Sequence, residues 1–325
     1  MLNAITDVGG IMVGQASDLT GYTGCTVILC EEGAICGMDV RGSASGTRQV
    51  DSLNLSHIVE QVHAVLLCGG SSFGLDAATG VMKFLEEKDI GFDVGIAKIP
   101  IIPAAVIFDF FFGNAKSRPT AAMGYEACLN ASDIVEEGSV GAGTGATVGK
   151  LFDITRAMKG GIGTSSIVMP DGLIVGALVV VNAFGDIVDN VTGKIIAGLR
   201  VSEDSLEFAH TSDSLKKGFT KRQFGLINTT LGVVATNARF NKREITKVAQ
   251  MAQGGLIKTI SPVHTTFDGD LIFALSTGVI EADVNRVGVL SEFVVAEAVK
   301  RAVKKADGFN ILPAFRDMNK GWKTS

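Results

Sequence analysis

Gly225-Leu226-Ile227-Asn228-Thr229-Thr230-Leu231-Gly232-Val233-Val234-Ala235-Thr236 begins where a polar, charged segment ends at Gln223. Its apolar part, Thr229–Thr236, has the length and β-branched content of a buried strand. Asn228 and Thr229 stand at the threshold of that strand. Threonine there is first of all a good β-former. The pair also suits self-cleavage. Asn tolerates left-handed or strained backbone better than most residues. A threonine hydroxyl beside a strained carbonyl is placed to attack it, turning an amide into an ester that water then opens.

Outward from this strand, helices and strands alternate. Thr26–Cys30 and Ala34–Val40 flank Glu31-Glu32-Gly33 and predict a hairpin. Ala64–Cys68, then Gly69-Gly70-Ser71-Ser72, then Leu75–Glu87 predict a strand, a glycine turn and a helix. Pro100 and Pro103 break Ile96–Phe112 into extended pieces. Thr120–Asn130 reads as a helix with Pro119 in its first turn. Ser165–Met169, a Pro170-Asp171-Gly172 turn and Leu173–Asn182 predict a strand pair, and Ser202–Arg222 is polar. Asn241 caps a helix that Gly254-Gly255 stops near Gln253, with Glu244 completing a capping box. Leu271–Leu275 is a strand. Val287–Val303 repeats apolar residues at Leu290, Phe293, Val294, Ala298 and Ala302, a helical spacing. Hairpins mixed with crossovers favour a layered α/β or α+β sandwich over a purely parallel sheet.

Composition narrows the function. The 325 residues are 46% hydrophobic and 19% charged, the balance of a globular protein, and the net charge of −5 argues against nucleic acid or an anionic membrane as partner. No positive and apolar leader opens the chain, and the apolar run Gly172–Phe184 is interrupted by Asn182 and falls short of the ~20 residues of a membrane helix. A cytoplasmic protein acting on a small molecule or peptide is expected. The five cysteines, Cys25, Cys30, Cys36, Cys68 and Cys128, form no C-x-x-C pair and read as buried thiols. The histidines have no metal-ligand spacing, so no metal and no cofactor is expected. The 40 glycines point to tight turns and close backbone approaches.

Two other motifs compete with Asn228-Thr229. Gly141-Ala-Gly-Thr-Gly-Ala-Thr-Val-Gly-Lys150 suggests a nucleotide-binding sensor, but a Walker A motif needs Gly where Thr144 stands and Ser or Thr where Leu151 stands. Gly70-Ser71-Ser72-Phe73-Gly74 fits G-x-S-x-G between a strand and a helix, with Asp186 and His264 downstream, which would make an esterase with Ser72 as nucleophile. The alternative for that motif is a tight strand-to-helix turn.

Several longer motifs carry a resemblance over about Asp7–Phe309. They are Thr23-Gly24-Cys25-Thr26-Val27, Asp39-Val40-Arg41-Gly42, Gly69-Gly70-Ser71-Ser72-Phe73-Gly74-Leu75-Asp76-Ala77, Pro103-Ala104-Ala105-Val106-Ile107-Phe108-Asp109 and the Gly141–Lys150 run. In this set and order the chain resembles the β-aminopeptidase and L-aminopeptidase/D-amidase family, which includes nylon-oligomer hydrolase. The resemblance implies an αββα sandwich, layered like N-terminal-nucleophile hydrolases with its own connectivity. It implies a single catalytic unit, 1–325, that cuts itself into 1–228 and 229–325 and assembles as a homo-oligomer. Thr229 is then the nucleophile, Asn182 the oxyanion donor, Asp268 and Asp270 the polar pair that holds the Thr229 amine and hydroxyl, and Lys150 the active-site lysine. If extended, Asp268 and Asp270 share a face. Members with a serine nucleophile carry Ser and Glu where this chain has Asp268 and Asp270, so the chain looks more like the nylon-oligomer branch. Aminopeptidase action and endo-hydrolysis of linear oligoamides both stay open.

Overall fold

The β-branched and leucine-rich runs become nine strands of one hydrogen-bonded system. A computed structural model describes residues 1–218 and 228–318; the end of the polar Ser202–Arg222 segment and the Gly225-Leu226-Ile227 lead-in lie outside them. The strands are β1 (Met12–Asp18), β2 (Thr23–Val40), β3 (Thr47–Arg48), β4 (Gln61–Cys68), β5 (Ala104–Val106), β6 (Gly161–Val168), β7 (Ile174–Asn182), β8 (Thr229–Ala238) and β9 (Leu271–Ile280). Their order is β6-β7-β8-β9-β2-β4-β5-β3, with β1 also on β2. The helices are α1 (Ala77–Glu87), α2 (Ala121–Leu129), α3 (Thr211–Lys216), α4 (Lys242–Thr259) and α5 (Val284–Lys305).

Alternating side chains sort these strands into layers, because successive residues point to opposite faces. Val65 and Leu67 of β4 share an inner core with Leu178 and Val180 of β7, Leu231 and Val233 of β8, and Leu271 and Phe273 of β9. Their neighbours face outward. Leu66 joins Ala78, Val81 and Leu85 of α1, while Val179, Val234 and Ile272 join Val248 and Ala252 of α4 and Val294 and Ala298 of α5. Two helical layers thus enclose two sheet layers, the αββα sandwich that was expected. All ten residues of β8 are buried, as a strand covered on both faces must be.

The hairpin expected at Glu31-Glu32-Gly33 is not formed. β2 runs unbroken from Thr23 to Val40, and its register on β4 shifts between Leu29 and Ala34. Gly33, at φ +86°, takes up a bulge instead of a turn. The first half of β2 pairs with β1 and the second half with β9, instead of with each other.

Gly254-Gly255 do not end α4 either; the helix continues to Thr259. The glycines let α5 approach, since a Cβ on Gly255 would lie 2.6 Å from the carbonyl oxygen of Glu292 and 2.7 Å from Val295 Cβ. The Asn241–Glu244 capping box is present. In α2, Thr120 is the N-cap and Pro119 precedes the helix. A 3-10 turn, Ser71–Asp76, takes the first part of the segment expected to be helical before α1. Phe293 of α5 is half-exposed, whereas Leu290's neighbours Ser291 and Val294 are buried. The five cysteines are free and buried, and burial pushes the thiols of Cys25, Cys30 and Cys128 up to about 12. Among the described residues no helix is long and apolar enough to cross a membrane.

The crossing of α4 and α5 gives a test in which two effects oppose. Alanine at position 255 gains about 1 kcal/mol of helix propensity, but overpacking a filled site costs about 1–3 kcal/mol. Gly255→Ala is expected to lower unfolding free energy in urea titration, whereas Gly9→Ala, with open space around it, should stay within about 0.5 kcal/mol of the parent.

Candidate active site

Strand directions bring the candidate residues together. β8 and β9 are parallel, an arrangement that needs a crossover, and α4 supplies it. Their starts, Asn228-Thr229 and Asp268-Gly269-Asp270, therefore lie at one edge. β7 runs antiparallel to β8, so its end reaches the same edge, and Asn182 is in register with Thr229. Opposed residues of an antiparallel pair project to one face. Asn182 continues the inward row of Leu178 and Val180, and Thr229 begins that of Leu231 and Val233.

The site is closed. Asn182, Asn228, Thr229, Asp268, Asp270 and Lys150 are all at most 3% exposed. Burying such groups is expensive unless each is bonded, and their bonds define the geometry. The Thr229 hydroxyl donates to the carbonyl oxygen of Asn228 at 2.5 Å. That oxygen also accepts the Gly269 amide at 2.7 Å, while the Asn228 amide donates to the Phe267 carbonyl at 2.9 Å. Gly269 has no room for a side chain, since a Cβ there would stand 2.8 Å from Thr229 Oγ1 and 2.7 Å from the Ala44 carbonyl oxygen. The peptide bond between Asn228 and Thr229 is thus gripped on its carbonyl by one hydroxyl and one backbone amide.

Asp268 and Asp270 flank this contact without sharing an extended face. β9 starts only at Leu271, and Asp268 makes an isolated parallel bridge to Asn228. Neither carboxylate is bonded to the Thr229 hydroxyl, which is turned to the Asn228 carbonyl. Asp268 Oδ1 accepts the Phe184 amide at 3.1 Å; its Oδ2 accepts the Thr265 amide at 3.1 Å and hydroxyl at 2.5 Å. Burial, together with the neighbouring charge of Asp270, pushes the Asp268 carboxyl up to about 7. Asp270 Oδ1 accepts the Thr230 amide at 2.6 Å, and its Oδ2 meets the His264 amide at 3.1 Å and His264 Nδ1 at 3.0 Å.

Asn182 closes the other side. Its Oδ1 accepts the Thr147 amide at 3.0 Å and the Lys150 ammonium at 2.7 Å, and Lys150 Nζ also donates to the Asn182 carbonyl at 3.0 Å. These bonds fix the amide orientation, with Nδ2 donating one hydrogen to the Phe108 carbonyl at 3.0 Å and carrying a second. The Gly141–Lys150 run is buried throughout, so it is no open phosphate cradle, and its lysine is engaged with Asn182. Ser72 fares no better as a nucleophile. It is exposed and has no hydrogen bond to a histidine or carboxylate among the described residues; Asp186 holds Leu199 and Thr211, and His264 holds Asp270.

The surrounding motifs act as scaffold. Arg41 and Gly42 amides donate to the Asp270 carbonyl at 2.9 and 3.1 Å, and Ala44 does so to Asp268 at 2.9 Å, seating the Asp268–Asp270 loop. Buried Asp109 ties Thr23 Oγ1 (2.7 Å) to the Gly70 amide (2.8 Å), beside the Phe108 carbonyl that holds Asn182. Burial raises its carboxyl, and burial lowers the Lys159 ammonium to about 7. Lys159 nevertheless bonds the carbonyls of Gly143, Ala146 and Gly160 and so clamps the loop that carries Lys150. Sequence reasoning gave no role to Lys159, Gly269 or Thr265. Only the glycine between two aspartates carried a local signal. Among the described residues no group of three or more His, Cys, Asp or Glu side chains is arranged to hold a metal ion.

Comparison with known proteins agrees with this architecture. An uncharacterized aminopeptidase of Mycobacterium leprae (strain TN) is 40% identical, with 98% of this chain and 95% of the relative covered. A 6-aminohexanoate-oligomer endohydrolase of Kocuria sp. (strain KY2) is 31% identical over 92% of this chain and 85% of that protein. Among solved structures, the L-aminopeptidase D-Ala-esterase/amidase of Ochrobactrum anthropi superposes with a TM-score of 0.73 at 18% identity, and a Burkholderia sp. beta-aminopeptidase with 0.70 at 21%; each covers 94% of this chain and 87% of the other. At those identities the two structures establish the fold alone. Residues 3–310 match peptidase family S58, a span that holds every site residue described above, and the chain belongs to that family as a hydrolase of peptide or amide bonds.

Proposed function

We propose that the chain cuts itself between Asn228 and Thr229 and then hydrolyses amide bonds with Thr229 as its N-terminal nucleophile. The observation that carries this reading is the grip on the Asn228 carbonyl by Thr229 Oγ1 and the Gly269 amide. When Thr229 Oγ1 adds to that carbonyl carbon, negative charge grows on an oxygen already facing a fixed donor. The C–N bond then breaks, its electron pair taking a proton to become the α-amine, and the Asn228 acyl group passes to Oγ1 as an ester. Water opens the ester, leaving Asn228 as a carboxylate and Thr229 with a hydroxyl and a free amine.

In turnover the α-amine, with an ordinary pKa of about 7.7–8.0, takes the hydroxyl proton near neutral pH. Oγ1 attacks the substrate carbonyl, an acyl-enzyme forms, and water releases it. The second hydrogen on Asn182 Nδ2 serves the oxyanion, with Lys150 and Thr147 fixing the amide. Asp270 holds the Thr230 amide just after the nucleophile, Asp268 ties Phe184 and Thr265 beside it, and both supply carboxylates for the freed amine. The substrate is a peptide or a linear amide. The aminopeptidase relative and the oligomer endohydrolase relative set the two substrate classes to compare: free-amine aminoacyl anilides and N-blocked aliphatic oligoamides.

Intact-mass spectrometry of purified protein should resolve two pieces, the smaller beginning at Thr229. Thr229→Ala should stay one chain without amidase activity, and Ser72→Ala should process and turn over as the parent does. A stable, uncut and active parent chain would falsify the proposal. In cleaved protein, Asn182→Ala should lower kcat by about 10²–10³ with little change in KM; a near-parent kcat removes its oxyanion role.

Processing should also depend on pH. The three donors around Asp268 fit its ionised form, which burial disfavours until the pH passes about 7. Rates of fragment formation should therefore rise with pH through about 7 and fall as Asp268 takes up a proton below it. Asp268→Asn should be slow and lack that limb. An unchanged profile in the variant would assign the limb to another group.

A further inference from the structure

We propose that His264 is a positioning residue for the reaction, acting through Asp270 to set the main chain of the nucleophile. The inference rests on the Thr229 reading and adds a residue to it. His264 lies in the left-handed region at φ +56°, a conformation uncommon for a residue with a side chain. That backbone lets one residue reach a single carboxylate oxygen twice: its amide stands 3.1 Å from Asp270 Oδ2 and its Nδ1 3.0 Å. Strained backbone of this kind persists where surrounding contacts over-determine it.

With Oδ2 held, the other oxygen is aimed. Asp270 Oδ1 accepts the Thr230 amide at 2.6 Å, the first peptide after the nucleophile. His264, Asp270 and Thr230 thus form one chain of bonds ending at Thr229. An ionised carboxylate only accepts, so Nδ1 carries the proton in the bond to Asp270. Nε2 is buried and has no hydrogen-bond partner among the described residues. The ring's role is therefore fixed by the Asp270 bond and not by a network on its far side. The imidazole faces Asp270, and Asp268 lies two residues from that carboxylate.

The test uses the full chain. His264→Gly keeps the left-handed backbone and deletes the ring; His264→Asn tolerates the same backbone and puts an amide N–H near the place of Nδ1. Misplacement of the nucleophile should slow processing and kcat by about 10- to 100-fold in His264→Gly, with KM little changed. Added imidazole should restore much of the loss, and His264→Asn should stay close to the parent. A role in packing alone predicts neither rescue. In an Asp270→Asn background, His264→Gly should cause little further loss, because both act along one path.

Parent rates in His264→Gly, or full additivity with Asp270→Asn, would overturn the assignment while an inactive Thr229→Ala leaves the nucleophile standing. An active Thr229→Ala would overturn both. Nitrogen-15 NMR of histidine-labelled parent protein covers variants that fail to fold: a protonated Nδ1 on His264 supports the inference, and an unprotonated Nδ1 rejects it.

Discussion

The site depends on one backbone contact, the Gly269 amide donating to the Asn228 carbonyl at 2.7 Å. It joins the starts of two parallel strands, so a residue on the approach to β9 touches the peptide bond that opens β8. Parallel neighbours begin at the same edge of a sheet, and this geometry puts 228–230 beside 268–270 despite the helix between them. Removing a side chain at position 269 makes the approach close enough for Thr229 Oγ1 to lie against the same carbonyl.

The side chains of Asn182, Asp268 and Asp270 around this contact are held by hydrogen bonds to protein groups. Asn182 satisfies its oxygen with Thr147 and Lys150 and turns one N–H to Phe108. An unpaired buried amide would cost about 1–3 kcal/mol, so these bonds orient the side chain as well as stabilise it. Asp268 is a different case. Three donors favour its charge, yet burial and the charge of Asp270 oppose it more strongly and push the carboxyl up to about 7. A carboxyl held between those influences exchanges its proton in the pH range where an α-amine also does. Perturbed groups of this kind cluster at reaction centres.

Much of the fold was legible because its signals are local. Leu173–Asn182 and Thr229–Thr236 are short apolar, β-branched runs of strand length, and Asn241 with Glu244 announces the start of α4. Where reading failed, a distant partner had changed the meaning of a local signal. Gly33 marks a turn in isolation but a bulge once β1 and β9 claim the two halves of β2. Gly254-Gly255 end a helix in isolation but admit α5 when that helix lies across them. The Gly141–Lys150 run resembles an anion cradle until Lys159 and the surrounding strands bury it.

By itself the sequence determined the strand that Thr229 opens and the mixture of hairpins and crossovers that makes a layered α/β sandwich. Motifs such as Asp39-Val40-Arg41-Gly42 named the family, without saying that two of their amides seat the Asp270 carbonyl. Only the tertiary structure decided how the pieces meet. It set Asn182 opposite Thr229, turned the two aspartates away from the hydroxyl and onto neighbouring backbone, and placed His264 on Asp270. Periodicity and propensity act over a few residues and survive in a linear reading. Strand order, crossovers and the direction of a buried bond are fixed by contacts between segments far apart in the chain.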